Sequence, residues 1–99
     1  MALKVRWSPN AEISYQRIID YLIVNWTDKE VTNFANRVDD VISNITSQPY
    51  LFKSITSKNI RKARVTKHNS LYYFIHDKEL VLSYFWDNRQ NPKKNKFPQ

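Results

Sequence analysis

Ninety-nine residues, 41% of them hydrophobic and 14% aromatic, suffice for one domain with one packed core. The chain has no cysteine and two histidines, which excludes disulfides and thiolate metal sites and leaves no imidazole set for zinc; no metal and no cofactor are expected. No apolar run reaches bilayer-spanning length and Met1–Arg6 lacks a signal-peptide core, so a cytoplasmic protein without membrane contact is expected.

The formal charge of +7 is unevenly spread. Residues 1–49 carry five Lys or Arg against six acids, whereas residues 50–99 carry eleven against three. Such a basic half suits a polyanion or an acidic protein, because clustered cations attract phosphate and release its counterions. The alternative is a solvated face that serves only solubility.

In chain order, Leu3, Val5 and Trp7 alternate with Lys4 and Arg6, the period-two pattern of a strand with one buried face. Ser8-Pro9 then reads as a helix start, with Ser8 as N-cap and proline where its missing N–H costs nothing. Ala11, Tyr15, Ile18, Ile19 and Leu22 form an apolar stripe, and Trp26 is expected to close it. Thr27 and Glu30 have capping-box spacing, so a second helix should restart at once. Its stripe is Val31, Phe34, Ala35, Val38, Val41, Ile42 and Ile45, with Asp39 and Asp40 opposite; Pro49 ends it. Tyr50-Leu51-Phe52 should pin the connection to the core, ahead of a polar loop at 53–59.

From Arg61 onward, three runs rich in Val, Ile, Tyr, Phe and Trp predict an antiparallel meander. His68-Asn69 and Asp77-Lys78 are expected at its turns, since Asn and Asp tolerate left-handed backbone and the chain has no glycine. The expected fold is therefore α+β, a small antiparallel sheet in β-α-α-β-β-β order with a helical hairpin on one face. It forms a single domain over residues 1–99, with a flexible basic tail at 93–99. The second sheet face would show some of Tyr72, Tyr73, Phe74, Tyr84, Phe85 and Trp86 to a partner segment, unless these aromatics complete the core.

RNA cleavage through the 2′-hydroxyl needs a base, cations around the crowded phosphate and a proton donor for the leaving oxygen. His68 can exchange a proton near neutral pH, while Arg61, Arg64 and Lys67 can hold phosphate, and Tyr72 or Tyr84 can stack on an unpaired base. Against this, His68 sits in a turn where histidine is ordinary, His76 ends a strand, and Arg17 and Arg37 are expected on solvated helix faces.

The combination of W-S-P-N-A, a helix pair, P-Y-L-F, R-x-x-R-V-T-K-H-N-S-L-Y-Y-F-I and a closing F-W-D-N-R-Q-N-P, over about residues 3–94, resembles the RelE/ParE toxins of bacterial type II toxin–antitoxin systems. The resemblance implies a growth-inhibiting, plasmid-stabilising toxin whose cognate antitoxin wraps its working surface. It also implies one of two targets, DNA gyrase in ParE-like members or mRNA on the ribosome in RelE-like endoribonucleases. Were the chain a nuclease, its catalytic residues would be His68, Arg64 and Arg89. Target contacts would fall to Arg61, Lys67, Arg89, Lys93 and Lys94, and antitoxin contacts to Tyr72, Tyr84 and Trp86. RelE-like enzymes often end with a tyrosine after the arginine that matches Arg89, yet no tyrosine follows Tyr84 here. The Arg89-Gln90-Asn91-Pro92 ending is closer to the ParE-like branch, although Asp87-Asn88 stands where that branch usually has His-Gly.

Overall fold

Six elements follow in the expected order in the computed structural model, which describes residues 3–55 and 59–89: β1 (Lys4–Trp7), α1 (Pro9–Asn25), α2 (Asp28–Ser47), β2 (Arg61–Arg64), β3 (Asn69–His76) and β4 (Glu79–Asp87). Lys93–Gln99, expected to be a flexible tail, lies outside the described residues. Among the described residues, no helix is long and apolar enough to cross a membrane.

The sheet runs β1-β4-β3-β2. The β2-β3-β4 meander is antiparallel, but β1 pairs parallel to β4, from Lys4 opposite Glu79 to Trp7 opposite Leu82, so the sheet is mixed and not wholly antiparallel. Bonds at the helix start fix that direction. Ser8 N donates to Leu82 O at 3.1 Å and Ser8 Oγ donates to Ser83 O at 2.8 Å, while the same Oγ accepts from Ala11 N at 3.0 Å as the N-cap. One side chain therefore starts α1 and ties it to the middle of β4.

That tie falls on a β-bulge. Tyr72 pairs with Tyr84 but Tyr73 pairs with Leu82, leaving Ser83 as the extra residue. The freed Phe85 N–H donates to Ser14 Oγ at 2.8 Å. Since strand side chains alternate between faces, one added residue flips all those beyond it. Leu80 and Leu82 before the bulge, and Phe85 after it, consequently all meet the helices, and Asp87 comes to the helix side with its partner Asn69.

The core lies between that face and the helix stripes. Ile18 and Leu22 of α1 and Phe34, Val38 and Ile45 of α2 bury against Leu71, Tyr73, Leu80, Leu82 and Phe85. Each such side chain contributes about 1.5–3 kcal/mol. Trp7, Tyr15, Phe34 and Phe85 form an aromatic knot joining four elements, with successive ring centroids 5.3–5.5 Å apart.

Four local expectations need correction. Trp26 does not close the α1 stripe: as the C-cap it has extended backbone and is 51% exposed. Thr27 is the α2 N-cap, but its side chain makes no capping bond, so the box with Glu30 is not closed. Of Tyr50-Leu51-Phe52, only Phe52 packs inward, edge-on to Tyr73, while Tyr50 and Leu51 are exposed. The connection is instead held by Arg61, whose guanidinium donates to Phe52 O at 2.5 Å and Asn59 Oδ1 at 3.2 Å and stacks on Tyr50. Finally, Asp77 and Lys78 take left-handed backbone (φ 51° and 65°) as the β3–β4 turn requires, but the β2–β3 turn contains no such residue.

Candidate functional site

The β2–β3 turn is built from side chains. Thr66 Oγ1 donates to Asn69 Oδ1 at 2.6 Å and accepts from His68 N at 3.1 Å, and Val65 N donates to Asn69 O at 2.9 Å. Asn88 N donates to His68 O at 2.6 Å, joining this turn to the end of β4. Arg37 of α2 donates its Nε to Val65 O at 3.2 Å. Between these pieces and the α1–α2 junction opens a cleft of about 610 Å³. Leu22 and Trp26 come from α1 and its cap, Glu30, Asn33, Phe34, Asn36 and Arg37 from α2, Thr66 to Asn69 from the turn, and Arg89 from beyond β4.

Arg89 is held firmly. Its Nε donates to Asp87 Oδ1 at 2.8 Å, its Nη2 to Oδ2 at 2.6 Å, and its backbone N to Oδ1 at 2.8 Å. Its guanidinium lies 4.8 Å over the Tyr21 ring. Burial alone would raise the Asp87 pKa, but the Arg89 hydrogen bonds and charge, with a smaller part from nearby His68, outweigh it and leave the carboxyl below its ordinary range. The Asp87 bond raises the Arg89 pKa despite partial burial. This bidentate pair is a fixed, largely neutralised unit at one edge of the cleft.

The cleft thus brings His68, Lys67 and Arg89 together, and adds Arg37, expected on a solvated face, and Trp26. Arg64 is elsewhere: it pairs with Ser70 on the face turned away from the helices, where it is exposed and its charge, after burial, lowers the Lys62 pKa. Arg61 serves the 50–60 connection. Lys93 and Lys94 lie outside the described residues. Tyr72, Tyr84 and Trp86 share the outer face with Arg64; Tyr72 stacks on Tyr84 at 4.8 Å and is fully buried, and Trp86 is nearly so. His76 is exposed at the far hairpin, 3.9 Å from Asp77. Among the described residues, no group of three or more His, Asp or Glu is placed to hold a metal ion.

Sequence reasoning missed Trp26, Arg37, Tyr21 and Asp87. One signal was available: Glu30, Phe34 and Arg37, at positions i, i+4 and i+7, share a helix face whose middle residue is core.

The fold is shared with solved chains from toxin–antitoxin systems. It is similar to a chain of the chromosomal ParDE system from P. aeruginosa (TM-score 0.73, 10% identity, covering 87% of this chain and 96% of that one). It is also similar to the YoeB/ParE toxin from Agrobacterium tumefaciens (0.65, 14%, 86% and 98%) and to a chain of the RelBE2 complex from Mycobacterium tuberculosis (0.62, 15%, 88% and 99%). No curated protein sequence matches the chain. The model of the ParE toxin of type II toxin–antitoxin systems matches residues 5–92, and the chain belongs to that family.

Proposed function

We propose that this ParE-family chain is the growth-inhibiting half of a toxin–antitoxin pair, neutralised by a cognate protein antitoxin, and that it acts by binding DNA gyrase. The observation that carries the binding reading over the catalytic one is the separation of the groups a nuclease would combine. Arg64 projects from the outer sheet face, His68 lies in the cleft, and Arg89 is bonded to Asp87 through both guanidinium and backbone. Asp87 already takes the Nε–H and an Nη2–H of Arg89 and offsets its charge, which weakens the pull on a phosphate at this position. The solved ParDE similarity and the family match agree with this choice. One observation favours the alternative, a RelE-like ribosome-dependent mRNA endoribonuclease: Lys67, His68 and Arg37 share the cleft.

Expression of the chain without its antitoxin, with 5′ ends mapped across cellular messages and gyrase supercoiling assayed with purified protein, separates the two. Division should stop with messages intact and supercoiling blocked, and His68→Ala with Arg64→Ala should leave the arrest in place. New ends clustered at codon positions would overturn the gyrase reading.

A further inference from the structure

The cleft is chemically polarised along α2. Glu30, Asn33 and Arg37 follow at i, i+3 and i+7 and line it together, so about 10 Å of helix axis separates an acidic end from a basic one. Trp26, 51% exposed, caps α1 immediately before α2 begins and so stands at the acidic end. At the basic end Arg37 bonds only Val65 O of the β2–β3 turn, and Lys67 follows in that turn. Among the described residues neither cation has a carboxylate within ion-pair distance, whereas Arg89 has Asp87. Asn69, only 3% exposed, accepts from Thr66 through Oδ1, but its Nδ2 has no acceptor among the described residues. A buried donor left unanswered is costly, and this one belongs to a residue that lines the cleft with both cations.

The basic end suits an anion with several acceptor oxygens, as a phosphate monoester has. The other end suits a flat ring. The half-exposed indole offers a stacking face, Glu30 can accept from an exocyclic amino group, and the Asn33 amide both donates and accepts. A simple anion would leave Trp26 unused, and an apolar segment laid here would bury Glu30 and Asn33 without partners. The volume of about 610 Å³ lies within the range of small-molecule sites. A two-ring base covers more of the indole than a one-ring base.

We propose that this cleft binds a purine nucleoside 5′-monophosphate, with its base stacked on Trp26 and its amino edge toward Glu30, and with its phosphate between Arg37 and Lys67. The site is separate from the gyrase reading and does not depend on it. Trp26 also reports on it, because Trp86 is buried and Trp7 half-buried.

The test uses the full chain, with indole emission and calorimetric affinity read for AMP and GMP. Either nucleotide should quench the emission, and Trp26→Phe should remove the quenching. Adenosine, which lacks the phosphate, and inorganic phosphate, which lacks the base, should each bind about tenfold more weakly or worse. Lys67→Ala, at an exposed side chain, should weaken nucleotide binding about tenfold and leave adenosine binding as it was. Arg37→Ala should add to this; because Arg37 also bonds the turn, its fold is checked by thermal melting. Arg17→Ala, an equal charge change on an exposed part of α1, should leave affinity unaltered. No quenching by either nucleotide at millimolar concentration would overturn the proposal, as would undiminished nucleotide affinity in Lys67→Ala. So would a ten-nucleotide single-stranded RNA without terminal phosphates that binds through Trp26 and Lys67 where the mononucleotides do not, since the cleft would then belong to a strand.

Discussion

At the far end of the β3–β4 ladder, Asp77 and Lys78 turn the chain by their left-handed backbone with exposed side chains, and the neighbouring strand β1 braces it through Lys4 N donating to Lys78 O at 3.2 Å and Arg6 pairing with Glu79 at 3.3 Å. At the opposite end, the β2–β3 turn and the close of β4 have no left-handed residue; they are held by Thr66, Asn69, Arg37, Asp87 and Arg89 reaching across four segments. Among the described residues, the first end leans only on the strand beside it. The second needs the helices, and in return it encloses a cleft whose polar groups face inward from different parts of the chain. The β3–β4 turn joins the two central strands and the β2–β3 turn includes the edge strand β2, and the two differ further in what each recruits.

The sharpest way to break that contrast is to remove the Asp87 carboxylate. Asp87 is 4% exposed and holds three donors of Arg89, so Asp87→Ala should cost about 2–3 kcal/mol in urea unfolding, less than for a fully buried pair because Arg89 reaches solvent. The pH dependence has a fixed sign. The folded-state pKa of Asp87 is depressed, so its contribution is complete above the ordinary carboxylate value of about 4 and is lost as pH falls through the folded value. Asp87→Asn should therefore flatten the acid limb of the stability curve. An acid limb unchanged by Asp87→Asn would show that the carboxylate–guanidinium pair does not set it.

A smaller effect is expected at Thr66. Thr66→Val keeps the shape of the side chain but removes the hydroxyl that donates to Asn69 and accepts from His68 N, and should cost about 1–2 kcal/mol. Hydrogen exchange at the His68 amide should rise more than at core amides of β3. Uniform acceleration across β3 would mean that the turn unfolds only with the whole sheet, and that the side-chain network does not set its local order.

These residues also mark where the sequence was legible. Both helix stripes, the Ser8-Pro9 start, the meander and the Asp77-Lys78 turn follow from short-range periodicity and backbone preference, and each is present as expected. The parallel pairing of β1 is not readable that way, since Leu3 to Trp7 would alternate identically in either direction; the bonds from Ser8 to Leu82 and Ser83 decide it. The cleft was only half visible. Lys67, His68 and Arg89 were singled out, but Trp26 and Arg37 join them only because α1 ends where α2 restarts and the Ser83 bulge turns the end of β4 toward them. Alternation alone, carried back from Leu80 and Leu82, would have placed Asp87 on the outer face, and no local pattern announces an extra residue that the serines of α1 hold in place.

The smallest change sharpens the comparison from the other side. If the Asp77-Lys78 turn rests on its backbone and not on its side chains, replacing one of them should cost nothing. Lys78 sits at φ 65°, a region that costs a residue with a Cβ about 1–2 kcal/mol. Glycine would relieve that strain but adds freedom to the unfolded chain worth about 0.5–1 kcal/mol, so Lys78→Gly should stabilise by about 0.5 kcal/mol. The Asp-Gly pair it creates is also a favoured hairpin turn. Nucleotide affinity and growth arrest should not move, because this end lies across the sheet from the cleft. A destabilised variant would show that the Lys78 side chain has a partner role, and that the two ends differ less than their bonding implies.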